Sequence, residues 1–211
     1  MEFPVKEWLV DPLATEKSTE EIAKQLLGHK LIHETDSGVL SGWIVETEAY
    51  LGQVDAAAHS YQLRRTPRVS SMYKPSGTIY IYQMHTHNML NIVTKEAENP
   101  QAILIRAVEP DQGIELMESN RLKNGIELTN GPGKLTKAFG ITKAYDGGSI
   151  FVPPLYVDFS VKREPKSIEA TKRVGIPNKG EWTDKLLRYF VANNAYVSSM
   201  KKSSVAHSWR M

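Results

Sequence analysis

Apolar and polar positions divide the chain into segments with different periods. Ile22, Leu26 and Leu27 recur at helical spacing behind Ser18-Thr19-Glu20-Glu21, whose serine and second glutamate stand three apart as in a capping box. A helix is predicted there. In LIHETDSGVLSGWIVETEAY (31–50), apolar and β-branched residues flank Asp36-Ser37-Gly38, the pattern of a β-hairpin. Residues 51–76 carry no such period and read as an extended, largely irregular segment, a length of loop that in a compact domain usually serves function. TIYIY (78–82), NMLNIV (88–93) and AILIRAVEP (102–110) read as strands, the last with the apolar density of a buried one. Residues 111–123 read as a helix, and NGPG (130–133) as a turn leading into a short helix through Phe139. Pro153-Pro154 interrupts regular structure, and KLLRYFVANNAYVS (185–198) reads as two strands around Asn193-Asn194. Strands cluster in mid-chain with few strand–helix–strand alternations, which predicts a mixed, mainly antiparallel α+β fold.

Composition changes this picture little. At 211 residues, 41% apolar and 24% charged, the chain suits one domain over residues 1–211 with a substantial core. No window approaches a membrane span, and MEFPVKEWLVDP (1–12) lacks the basic-then-apolar order of a signal peptide. There are no cysteines, hence no disulfides and no thiolate metal site. A cytoplasmic protein is expected.

Charge is more informative in its distribution than in its total of +2. Between Ala56 and Tyr82 stand Arg64, Arg65, Arg68 and Lys74 with no acid; Lys134, Lys137 and Lys143 form a second such stretch. A third, Lys162, Arg163, Lys166, Lys172, Arg173 and Lys179, is diluted by Glu164 and Glu169 and reads as solvated surface.

Strand alternation through residues 42–50 puts Ile44, Glu46, Glu48 and Tyr50 on one face. Two carboxylates stacked there repel unless one is paired or solvated, and such a pair can divide into a proton acceptor and a structural partner. A polar outward face is the bland alternative. Tyr80 and Tyr82 share a strand face, where tyrosines are commonly core or cross-strand partners. Tyr82 adjoins a polar cluster, Gln83, His85, Thr86, His87 and Asn88, flanked by Met84 and Met89. Its histidines two apart do not have the spacing of a helical zinc motif, so no metal is expected. Arg106 interrupts an apolar strand and, if buried, needs an acid such as Glu109, a phosphate or carbonyls, or it lies beside the strand carrying Glu48.

The order VETEAYLG, DAAAHS, TPR, GTIYIY, LNIV, LIRAVEP, NGPGKL, RVGI, EW and LRYFV, from about residue 32 to 198, resembles the alkyladenine (3-methyladenine) DNA glycosylase family in its bacterial form. The resemblance implies a compact mixed domain around a curved antiparallel sheet flanked by helices. It implies a monomeric, nucleoid-associated base-excision repair enzyme that acts on double-stranded DNA. Such an enzyme flips out a damaged purine and hydrolyses its N-glycosidic bond without metal or organic cofactor. By the same resemblance Glu48 is the general base, with Arg106 and the Val174 carbonyl holding the attacking water. Tyr50, His59 and Tyr82 contact the flipped base, and Asn91 lines the pocket wall. Arg64, Arg68 and Lys134 lie where phosphates or the site's mouth would be, and phosphate contacts are expected from these three together with Arg65 and Lys74. The nine steps from Tyr82 to Asn91 are one fewer than in the family, and the tyrosine that wedges into the DNA stack is missing; Met84 and His85 stand near its place. Methionine can serve as an apolar wedge.

Three other functions use the same residues. A metal-dependent nuclease would employ Glu46, Glu48, His59, His85 and His87. A lesion-binding module would keep the pocket without turnover. A carbohydrate hydrolase would use the carboxylates but leave the basic loop unexplained.

Overall fold

The computed structural model describes residues 16–199 and 208–210. The opening segment read for a signal peptide lies outside them. The expected capping box is present: Ser18 accepts from the Glu21 amide, and the Glu21 carboxylate accepts from the Ser18 amide, starting α1 (Thr19–Leu26). Such caps are worth about 0.5–2 kcal/mol. β1 (His29–Thr35) and β2 (Gly38–Tyr50) form the predicted hairpin, and β3 (Ile79–Met84), β4 (His87–Val93) and β5 (Ala102–Gln112) are the three predicted strands. The helix expected at residues 111–123 is shorter, α2 (Ile114–Arg121), because β5 continues to Gln112. α3 (Pro132–Ala138) follows the NGPG turn. It seats against β4 so closely that a Cβ on Gly133 would stand 2.8 Å from His87 Cβ, which is why a glycine is needed there.

Three expectations change. Residues 51–76 are not extended but fold into three short 3-10 turns, Gly52–Val54, Tyr61–Leu63 and Pro67–Tyr73. The last buries Val69, Met72 and Tyr73 against Tyr80, with Tyr82 packed on that small cluster. Only the first of the two strands expected around Asn193-Asn194 forms, as β8 (Arg188–Val191); the segment beyond is held by turn bonds such as Val197 N–H to Asn194 O at 3.3 Å. Two strands not foreseen, β6 (Leu155–Lys162) and β7 (Ile168–Thr171), join the sheet.

The result is an α+β fold with one eight-stranded sheet, ordered β3-β4-β5-β2-β1-β6, with β8 and β7 branching from β2. Every described pairing is antiparallel. The 13-residue β2 pairs with β5 along one edge. On the other it pairs with β1 up to Trp43, then with β8 at Glu46, Thr47 and Glu48. The two glutamates therefore sit where β2 changes partner. The register with β5 slips here: Ile44 faces Val108 and Glu46 faces Ala107, passing over Val45, while Thr47 faces Ile105, passing over Arg106. Bulges of this kind re-aim side chains. Ile44 and Val45 both enter the apolar core, so strict alternation does not extend back through Ile44. Glu46 and Glu48 do share a face, because Arg106 contacts both.

Candidate active site

The two carboxylates on β2 have no solvent exposure, yet their surroundings differ. Glu46 Oε1 accepts from Arg106 Nε (2.7 Å), Arg188 Nε (2.7 Å) and Ser198 Oγ (2.8 Å), and its Oε2 from the Ser198 amide (2.7 Å). Those contacts use both oxygens and two arginines, so Glu46 is a fixed anion that ties three segments together. Glu48 is held more lightly. Its Oε1 accepts from the Val174 amide at 2.7 Å and lies 3.3 Å from Arg106 Nη1; its Oε2 accepts from the Tyr50 hydroxyl at 2.9 Å. Arg106 thus finds its acids on the neighbouring strand. Glu109, the partner considered from sequence, instead takes Arg163, Asn194 and Trp209.

Aromatic rings gather beside Glu48. His59 and Tyr82 meet edge to face with centroids 4.5 Å apart, and His59 Nδ1 is 2.9 Å from the Tyr80 hydroxyl. Burial, with help from Arg68 and Arg64, lowers the His59 pKa to about 4. Its ring is therefore neutral at physiological pH. Burial and the Glu48 charge push Tyr82 up to about 12, and the same two causes raise Tyr50 well above its ordinary value. The rings thus add no anion to the site. Asn91 is buried on β4, and its Nδ2 donates to the carbonyls of Tyr80 (3.1 Å) and Met89 (3.0 Å). Two carbonyl acceptors fix the amide's orientation.

A buried carboxylate with a donor on each oxygen, beside neutral aromatic rings, suits water activation next to a flat ligand. The family described as Methylpurine-DNA glycosylase (MPG) matches residues 14–195. The chain belongs to the methylpurine-DNA glycosylase family. It is 51% identical over 199 residues to a Staphylococcus saprophyticus protein described as "Putative 3-methyladenine DNA glycosylase", covering 93% of this chain and 98% of that one. An Enterococcus faecalis protein of the same description is 54% identical over 190 residues, 90% of this chain and 83% of its own. A third, from Staphylococcus carnosus, is 52% identical over 190 residues, 90% and 92% respectively. The protein is thus an enzyme, a DNA glycosylase of base-excision repair whose substrate is damaged DNA.

In this glycosylase the other expected residues stand as follows. Met84 is 46% exposed, and His85 is exposed with a left-handed backbone (φ 54°). Together they form the tip of the β3–β4 hairpin, where Met84 faces His87. Arg64, Arg68 and Lys74 are exposed. Arg68 Nη2 donates to the Gln83 carbonyl at 3.1 Å, and its guanidinium lies 5.3 Å from the Tyr82 ring centroid. Arg65 pairs with Glu98 and lies 4.0 Å over the Tyr73 ring, while Lys134 pairs with Glu127 at 2.6 Å. Exposed pairs of this sort are worth about 0–1 kcal/mol and exchange partners readily.

Sequence reasoning missed several groups. Arg173, read as solvated surface, is buried in a pair with Asp55, and Arg188 and Ser198 complete the shell of Glu46. Lys179 is exposed, as the surface reading expected, and lines a cleft of about 620 Å³ with His59, Arg64 and Arg68. The Val174 atom that reaches Glu48 is the amide nitrogen; the resemblance had singled out the carbonyl. Among the described residues no three His, Asp or Glu side chains are grouped as metal ligands, so the nuclease reading has no donor set behind it. No helix among them is long and apolar enough to cross a membrane.

Proposed function

We propose that this glycosylase flips alkylated or deaminated purines, such as 3-methyladenine, 7-methylguanine, hypoxanthine and ethenoadenine, out of duplex DNA. It then hydrolyses their N-glycosidic bonds, leaving an abasic site. The observation that carries the reading is Glu48: fully buried, bonded through both oxygens, and adjoining the His59–Tyr82 pair.

Glu48 takes the proton of a water that attacks C1′, and its charge stabilises the positive sugar that develops as the base departs. Arg106 and Val174 hold carboxylate and water in register. Tyr50, His59 and Tyr82 enclose the extruded base, where stacking adds about 1–3 kcal/mol per base. Methylation at N3 or N7 makes the base cationic, which improves both its departure and its attraction to the rings. Asn91 limits which purines fit. Arg64, Arg65, Arg68, Lys74 and Lys134 meet phosphates, and Met84 with His85 fills the gap left in the stack. The enzyme works as a monomer of one domain, at the nucleoid in the cytoplasm, with no cofactor.

Single-turnover excision of 7-methylguanine and hypoxanthine from duplex DNA, in EDTA, tests this for wild type and Glu48→Gln. Release by wild type, with a roughly 10²–10⁴-fold lower rate in the variant and lesion binding retained, is the expected result. Equal rates would move the base elsewhere. Lesion binding without release by wild type would leave a binding module.

A further inference from the structure

Arg173 adjoins both hydrogen-bond donors to Glu48, Val174 and Tyr50, and has no role in the water-activation chemistry itself. Its side chain is buried, and its Nη1 and Nη2 atoms grip Asp55 at 2.5 and 2.9 Å. Nη1 also donates to the Ala49 carbonyl at 3.0 Å, on the residue between Glu48 and Tyr50. Nη2 donates to the Trp182 carbonyl at 3.2 Å. The guanidinium lies 4.7 Å from the Tyr50 ring centroid. Asp55, also fully buried, accepts from the amides of Leu51 (3.1 Å) and Ala57 (2.9 Å), which fixes the turn leaving β2.

The consequence reaches both oxygens of the base. The residue after Arg173 is Val174, whose amide donates to Glu48 Oε1; the ring against which Arg173 lies is Tyr50, whose hydroxyl donates to Glu48 Oε2. One planar, bidentate cation therefore sets the position of both donors. We propose that Arg173, held by Asp55, is the positioning residue of the catalytic carboxylate, keeping Glu48 aimed through Val174 and Tyr50. The proposal rests on the reading of Glu48 as general base.

Lysine at position 173 keeps the charge but can neither grip Asp55 bidentately nor span Ala49 and Trp182 at once. A carboxylate that loses hydrogen-bond donors holds its proton to higher pH. The experiment is the pH dependence of single-turnover excision of 7-methylguanine for wild type and Arg173→Lys, with affinity for lesion duplex measured alongside. The expected result is a rate lowered tenfold or more at neutral pH, an acid limb moved to higher pH, and affinity within threefold of wild type. A purely structural role would reduce the folded fraction and leave the acid limb in place; that outcome, or an unchanged rate, overturns the proposal. If Arg173→Lys does not fold, the neutral double variant Asp55→Asn, Arg173→Gln is measured in the same way, with the same two outcomes. Absence of excision by wild type would instead sink the general-base reading on which the proposal stands, so the two failures are distinct.

Discussion

Arg106 Nε stands 2.7 Å from Glu46 Oε1, and this ion pair fixes which of the two buried carboxylates on β2 is occupied and which is available. Arg106 approaches Glu48 only to 3.3 Å, through Nη1. With Arg188 and Ser198 also bound to Glu46, Glu46 holds β5, β8 and the segment at Ser198 together, and Glu48 retains the freedom to accept a proton.

Glu46→Ala should therefore act on stability first. Removing one member of a buried charged cluster leaves Arg188 without its anion and Arg106 with Glu48 alone, a class of change that costs about 3–5 kcal/mol. Urea unfolding should show a lowered midpoint of that order. Glu48→Gln, which keeps one acceptor oxygen and leaves Arg106 its bond to Glu46, should lower the midpoint less than Glu46→Ala. A variant at Glu46 as stable as wild type would mean that the cluster is not structural.

The hairpin tip carries its own expectation. Met84 is exposed beside the left-handed His85, with no tyrosine to wedge the stack. Met84→Ala should slow single-turnover excision from duplex DNA on the order of tenfold, about 1.4 kcal/mol. Excision from a single strand, where nothing needs to be unstacked, should be unchanged. Equal slowing on both substrates would remove Met84 from the flipping step.

Phosphate contacts are testable through salt. Arg64 has no acid partner among the described residues, and Arg68 is held by the Gln83 carbonyl and the Tyr82 ring. Arg65 and Lys134 begin in ion pairs with Glu98 and Glu127. Replacing Arg64 or Arg68 by Ala should reduce the slope of log affinity against log salt by about one per contact, uniformly across sequences. Arg65 and Lys134 should give smaller changes, because their acids must first be displaced. A slope unaltered by Arg64→Ala would take that residue off the DNA.

Much of this was readable in the chain because the signals are local. The capping box at Ser18, the Asp36–Gly38 turn and the apolar runs of β3 to β5 each announce themselves within a dozen residues. β7 could not be seen: residues Ile168–Thr171 are largely exposed, so no burial pattern marks them, and their strand state comes from pairing with β8. The site divides the same way. Glu46, Glu48 and Tyr50 lie within one strand, and the aromatic pocket residues fall in recognisable stretches. The Asp55–Arg173 pair joins positions 118 apart, and no local pattern reveals that a surface-looking arginine is buried under Tyr50.

His59 supplies the last expectation, and its sign follows from burial. The folded ring titrates near 4, chiefly because burial disfavours its charged form, with Arg68 and Arg64 adding to the effect. An unfolded histidine titrates near 6.5. Between those values the unfolded chain binds a proton that the folded one does not, so stability rises with pH through this window. His29 and His33 are also depressed by burial and add in the same direction. Folding stability should therefore be fully present above about pH 6.5 and decline as pH falls toward 4. Urea unfolding at pH 7 and pH 5 measures the decline, and His59→Gln should reduce it. NMR titration of the His59 ring gives the direct check: a midpoint near 6.5 would mean that the ring is solvated and that the pocket it forms with Tyr82 is open to water.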